Sequence, residues 1–168
     1  MLNAQLDVAC KVRYNAYKLR SVLNRTMAST DYVCAQLKAR GRRVTPQRRA
    51  IIQFLLDNDS HPTAEQVFTR VQETMPDMSP ATVYNTLHEL VELGTLTELD
   101  LGLGERRYDV NLTDHAHLIC LDCGRVEDIP YDHEALALPA EHTHGFQVVD
   151  RRVIFRGYCP ACALSERG

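Results

Sequence analysis

The sequence predicts an α+β protein in two parts, a helical N-terminal part that ends in a hairpin and a smaller mixed α/β part built around cysteines. Three observations carry the prediction. Three Ser/Thr helix starts, two of them followed directly by proline, open apolar stripes between residues 45 and 94. After Gly94 the spacing changes to short alternating runs. Near the end, two Cys-x-x-Cys pairs, Cys120/Cys123 and Cys159/Cys162, stand thirty-five residues apart.

The first predicted helix begins at Ser29 or Thr30, turns Val33, Cys34 and Leu37 inward and stops at Gly41. Thr45 caps the second, with Pro46 at its first position and Ile51, Ile52, Leu55 and Leu56 as the buried stripe. Thr63 opens the third, Gln66 completing a capping box and Val67, Phe68 and Val71 facing in. Ser79-Pro80 starts the fourth, which carries Val83, Leu87, Leu90 and Val91 and ends at Gly94. Thr95–Asp100, a Leu101–Gly104 turn and Glu105–Val110 read as a hairpin, so that helices followed by a hairpin make a winged helix-turn-helix. Its last helix would be the reader, offering Ser79, Ala81, Thr82, Tyr84, Asn85 and Thr86 outward. A small helical bundle with one polar face fits the same periodicity. Beyond Asn111, strands are expected at His117–Leu121, Arg125–Ile129 and Gln147–Phe155, with a helix near Tyr131–Leu138. The domain boundaries are therefore placed at 1–28, an N-terminal extension that is disordered or helical; 29–110, the winged-helix domain; and 111–168, the second domain.

With 168 residues, 45% of them hydrophobic, the chain can bury real cores, while its longest apolar runs are too short to span a membrane. No signal-peptide-like apolar stretch opens it, which leads to the expectation of a cytoplasmic protein. A net charge of −3 argues weakly against nucleic acid until it is divided by segment. Residues 100–168 hold seven basic and twelve acidic side chains, whereas Arg40, Arg42, Arg43, Arg48 and Arg49 stand within one decade without a carboxylate. Such a patch suits phosphate, or merely a solvated helix entry.

Each Cys-x-x-Cys places two sulfurs on a tight turn, and two such pairs predict a structural tetrathiolate Zn(II) site. Cys10 and Cys34 stand apart as ordinary thiols. A thiol-redox protein is the rival of another class, because Cys159-Pro160-Ala161-Cys162 has a dithiol-like spacing. A zinc deaminase is a weaker rival still, because its H-x-E and P-C-x-x-C elements are both absent. A second constellation joins His61, Asp109, His115, His117 and Asp128, with His115 and His117 on one side of a strand. Imidazole and carboxylate together suit iron, manganese or zinc, and the mixed set is more open than a structural site.

Five stretches then resemble the ferric uptake regulator family over about residues 29–165. They are Arg43-Val44-Thr45-Pro46-Gln47-Arg48, His61-Pro62-Thr63-Ala64, Ser79-Pro80-Ala81-Thr82-Val83-Tyr84-Asn85-Thr86-Leu87, Asp114-His115-Ala116-His117-Leu118-Ile119-Cys120-Leu121-Asp122-Cys123-Gly124, and Cys159-Pro160-Ala161-Cys162. The resemblance implies a homodimeric repressor, not an enzyme, that binds double-stranded operator DNA through Arg43, Thr45, Gln47, Arg48, Ser79, Ala81, Thr82, Tyr84 and Asn85. It implies a dimerisation domain holding the zinc, and a regulatory Fe(II) or Mn(II), with Zn(II) as a further occupant, on the five His/Asp residues. Asp128 and Asn85 look like the peroxide-sensing branch, in which His61 or His115 would be oxidised. An iron- or zinc-uptake regulator that responds to metal level alone is the alternative. Ala116 falls where an additional site of iron-sensing relatives has a carboxylate, although His144 is present and Asp114 or Glu134 could substitute. His133 and His142 carry no assigned role.

Overall fold

A computed structural model describes residues 29–131 and 138–165. The predicted extension at 1–28, most of the predicted 131–138 helix, His133 and Glu134 lie outside the described residues. Among those described, the chain divides into two compact units, 29–113 and 114–165.

The first unit contains helices α1 (Thr30–Ala39), α2 (Pro46–Leu56), α3 (Ala64–Gln72) and α4 (Pro80–Leu93) and the strands β1 (Thr97–Leu99) and β2 (Arg107–Asp109). Each helix starts where the sequence supplies an acceptor for an orphan backbone N–H. Ser29, Thr45, Thr63 and Ser79 accept from Tyr32, Arg48, Gln66 and Thr82 respectively. Each such cap is worth about 1 kcal/mol. Thr63 and Gln66 complete a reciprocal capping box, and Pro46 and Pro80 occupy first-turn positions where no N–H is needed. α4 ends at Gly94 in a left-handed conformation (φ +75°), which favours glycine because a Cβ would meet the following carbonyl.

The stripes of the four helices converge on one core. Val33, Leu37, Ile51, Ile52, Leu55, Val67, Val71, Val83, Leu87 and Leu90 are all buried, and Leu96 and Tyr108 of the hairpin close it. Leu56, Phe68 and Val91 pack against the core but remain partly exposed. Thr86, expected on the outer face of α4, is buried instead, its hydroxyl donating to the Thr82 carbonyl at 2.7 Å. The reason is spacing: residue 86 follows Val83 by three and precedes Leu90 by four, on the inward stripe. β1 and β2 pair antiparallel with Thr97 opposite Asp109 and Leu99 opposite Arg107, shorter than the predicted hairpin. An isolated bridge between Thr63 and Arg107 ties β2 to the start of α3.

The second unit holds β3 (Ala116–Cys120), β4 (Val126–Ile129), a 3-10 turn (Ala140–His142), β5 (Ile154–Gly157) and α5 (Pro160–Ser165). The sheet order is β4-β3-β5, with β3 antiparallel to β4 and parallel to β5. Ala116, Ile119, Cys120 and Val126 are buried. Gly124, at φ +68°, turns the chain so that the Cys120 N–H reaches the Arg125 carbonyl. The predicted strand Gln147–Phe155 is corrected: pairing starts only at Ile154, and residues 147–153 form no strand. Alternation alone does not make a strand, which needs a ladder partner, and within this chain β3 offers that edge only from the Val153 carbonyl onward.

Candidate metal sites and nucleic-acid face

Near the amino end of α4 an open polar recess is lined by Arg42, Arg43, Gln47, Arg48, Thr82 and Asn85, with Thr45 beside them. The predicted reading residues Ser79, Ala81, Tyr84 and Asn85 are exposed, Tyr84 at 56%, and Thr82 is half-buried. The arginines are not equivalent. Arg49 bonds Asp31 at 2.6 Å, and Arg40 donates to the Glu92 carbonyl at 3.0 Å. Arg48 is mostly buried, 2.7 Å from Glu89 on α4 and donating to the Arg43 carbonyl at 2.8 Å. Its charge is thus satisfied inside the unit, and Glu89 is a partner that sequence reading missed. Arg42 lies a loose 3.8 Å from Glu92, both half-exposed. Arg42 and Arg43 remain exposed cations on this rim.

The four predicted zinc cysteines come together in the second unit. Cys120 ends β3, Cys123 sits in the following turn, Cys159 precedes α5 and Cys162 lies within it. Their sulfurs all lie within 4.8 Å of one another, Cys123 and Cys159 at 3.8 Å. Tetrahedral zinc with bonds of about 2.3 Å sets neighbouring sulfurs about 3.8 Å apart, so the cluster has the dimensions of a tetrathiolate zinc site, and all four are free thiols rather than disulfides. The Cys159 N–H, 3.3 Å from the Cys120 sulfur, and the Cys123 N–H stabilise a thiolate and pull the Cys120 thiol down to about 6. Cys162 is pushed up, first by its hydrogen bond with Asp122 and then by its neighbouring thiols. One sulfur that ionises early beside one that holds its proton is what four crowded thiols do before a cation replaces the protons.

The five regulatory candidates divide between the units. In the first, His61 and Asp109 are buried, with His61 Nε2 3.6 Å from Asp109 Oδ2. The other Asp109 oxygen accepts the Asn111 N–H at 2.7 Å, which fixes the carboxylate's orientation. His61 has φ +51°, a left-handed conformation that few residues other than glycine adopt. In the second unit, His115 precedes β3, His117 lies on it, and His117 pairs in register with Asp128 of β4. The two imidazole Nε2 atoms are 3.0 Å apart, and Asp128 Oδ1 lies 3.4 Å from His115 and 3.9 Å from His117. Two imidazoles and a carboxylate converging in this way form an N/O donor set for a first-row divalent metal. Among the described residues no third cluster of ligand side chains occurs; His142 and His144 are exposed.

The sequence model of the ferric uptake regulator family matches residues 39–156. The chain belongs to that family. It is 38% identical over 131 residues to a peroxide operon regulator of Bacillus subtilis strain 168, spanning 77% of this chain and 90% of the relative. It is 36% identical over 129 residues to a peroxide-responsive repressor PerR of Staphylococcus epidermidis, spanning 76% and 86%. Among solved structures, a zinc-bound manganese uptake regulator shares 32% identity at a TM-score of 0.62, covering 76% of this chain and 98% of that one. The ferric uptake regulator of Helicobacter pylori, at 18% identity and a TM-score of 0.68, shares the fold over 80% of this chain and 94% of its own. These family members are regulators rather than enzymes, in keeping with the winged-helix architecture of the first unit. Among the described residues no helix is long and apolar enough to cross a membrane.

Proposed function

We propose that this protein is a homodimeric, metal-dependent repressor of transcription with a labile site for Fe(II) or Mn(II) on His61, Asp109, His115, His117 and Asp128, and that it senses hydrogen peroxide when Fe(II) is the occupant, Mn(II) giving a repressor deaf to peroxide. The observation that carries the reading is the His115/His117/Asp128 cluster, an open N/O donor set in a chain whose thiolate cluster already provides for structural zinc. The similarity to the peroxide operon regulator and the peroxide-responsive repressor supports it. Residues 29–110 serve as the DNA-binding domain and 111–168 as the dimerisation and metal domain.

The chain's own residues give the mechanism its physical content. His61 and Asp109 belong to the winged unit, and the other three donors to the second unit. One cation shared by both sets ties the orientation of the winged unit to the dimer. α4 of each protomer then enters one of two successive major grooves, whose spacing is about 34–36 Å. Arg42 and Arg43 meet phosphate, and Tyr84 and Asn85 meet base edges. The dimer is formed by the second unit, which exposes the apolar side chains of Leu118, Phe146, Val148, Val149 and Phe155. When bound, ferrous iron would supply the one electron that starts O–O cleavage and recover it from the oxidised imidazole. One peroxide oxygen would then end on His61 or His115 and the other leave as water, which would weaken that imidazole as a donor, loosen the link between the units and release the operator.

A second reading, a uptake regulator that answers to metal level alone, is favoured by the likeness to the zinc-bound manganese uptake regulator. Mass spectrometry of the iron-loaded protein after mild peroxide separates the two. One added oxygen on a peptide containing His61 or His115, with loss of operator binding, supports peroxide sensing. No added oxygen, alongside reversible control by metal, supports the uptake regulator.

A further inference from the structure

The strongest unassigned feature of the first unit is the way the backbone of His61 is held. His61 lies in the left-handed region although it carries a Cβ and precedes proline, both of which disfavour that conformation. A residue in such a conformation costs on the order of 1–3 kcal/mol and persists only where its surroundings over-determine it. Here the surroundings are β2. Arg107 Nη1 donates to the His61 carbonyl at 3.1 Å, the Tyr108 N–H donates to the next carbonyl, that of Pro62, at 3.0 Å, and Thr63 bridges to Arg107. The carbonyls of His61 and Pro62 are thus pinned to one strand, the first by the Arg107 side chain and the second by the backbone hydrogen bond that makes the Thr63–Arg107 bridge.

The same strand carries Asp109, two residues on and therefore on the same side as Arg107. Arg107 is half-buried, and a guanidinium–carbonyl bond away from bulk water is stronger and more directional than one at the surface. We propose that Arg107 is a positioning residue for the labile metal: by gripping the His61 carbonyl it holds the loop in its left-handed turn and keeps the His61 imidazole beside the Asp109 carboxylate. The hairpin then presents a ligand pair as one preformed piece, His61 through Arg107 and Asp109 directly. The inference rests on the reading of His61 and Asp109 as ligands, and the experiment below separates the two.

The test uses the full-length, zinc-containing protein, with Mn(II) alone as the probe, titrated against a fluorescent chelator. Wild type is compared with Arg107→Gln, Arg107→Lys and His61→Ala. Loss of a group that orients a metal ligand typically weakens binding 10–100-fold, so Arg107→Gln should bind Mn(II) about 10–100-fold more weakly. Its zinc content and the melting temperature of the manganese-free protein should stay close to wild type. Arg107→Lys, whose ammonium can reach the same carbonyl, should recover part of the affinity. If His61→Ala loses manganese binding while Arg107→Gln keeps it, the positioning role is overturned and the ligand assignment stands. If His61→Ala binds as well as wild type, the ligand assignment itself fails. If neither Arg107 variant folds, Arg107 serves the stability of the hairpin, and the proposal is likewise overturned.

Discussion

Removing the Arg48 side chain should lower stability and leave the salt dependence of DNA binding nearly unchanged, which reverses what a run of arginines in the sequence suggests. Arg48 sits 2.7 Å from Glu89, with the two side chains only 17% and 15% exposed. A pair this sheltered falls between exposed pairs, worth about 0.2–1 kcal/mol, and fully buried ones, whose disruption costs about 3–5 kcal/mol. Arg48→Met strands the Glu89 carboxylate and removes the bond to the Arg43 carbonyl at 2.8 Å, so a loss of about 2–3 kcal/mol is expected. Glu89→Gln leaves that second bond in place and should cost about 1 kcal/mol. For a unit of this size each kcal/mol lowers the melting temperature by about 4–8 °C. Calorimetry of the two variants reads the first effect. The second is read from the slope of log affinity against log salt for a short duplex: Arg43→Ala should reduce it by about 1, and Arg48→Met by much less. An Arg48→Met protein that melts like wild type but loses a full phosphate contact from the slope would refute this account of the pair.

Other expectations follow from the same geometry. In zinc-stripped, reduced protein Cys120 has a folded pKa of about 6, below its ordinary 9.0, so the unfolded chain binds more protons between those values and stability should rise with pH across that window. Cys162 is shifted the other way, so its contribution is present below 9 and declines at higher pH; thermal melts against pH should show the rise and then the fall, and Cys120→Ser should abolish the rise. Leu87→Ala, at a position with no exposed surface, should cost about 2–5 kcal/mol by denaturant unfolding. Tyr84→Ala should weaken operator binding and relax preference among related sites without changing the salt slope, because the exposed ring carries no charge.

The helices of the first unit were legible because their start signals are local. Ser29, Thr45, Thr63 and Ser79 each supply an acceptor three residues before the N–H that needs it, and the apolar stripes repeat at helical spacing. Thr86 was misplaced because its hydroxyl reads as a polar surface group, yet on α4 it satisfies itself on the Thr82 carbonyl and can be buried. The strand predicted over 147–155 shortened to Ile154–Gly157 because a ladder depends on a partner distant in sequence. The thiol cluster was readable from its pairs, since each tight turn fixes two sulfurs. Arg107 and Glu89 left no trace of that kind: their partners, the His61 carbonyl and Arg48, lie 46 and 41 residues away. Equally invisible in composition is that Arg48 is neutralised while Arg42 and Arg43 stay at the rim.

The most direct measurement is the affinity of the zinc-retaining protein for a promoter fragment, chosen by its capture on manganese-loaded protein, before and after the labile metal is removed by chelation. The account predicts that Mn(II) tightens binding by about 5–150-fold, the range of ordinary coupling between two sites, and that His115→Ala abolishes the gain while keeping zinc. Equal affinity with and without Mn(II), in protein whose four thiolates still hold zinc, would contradict it.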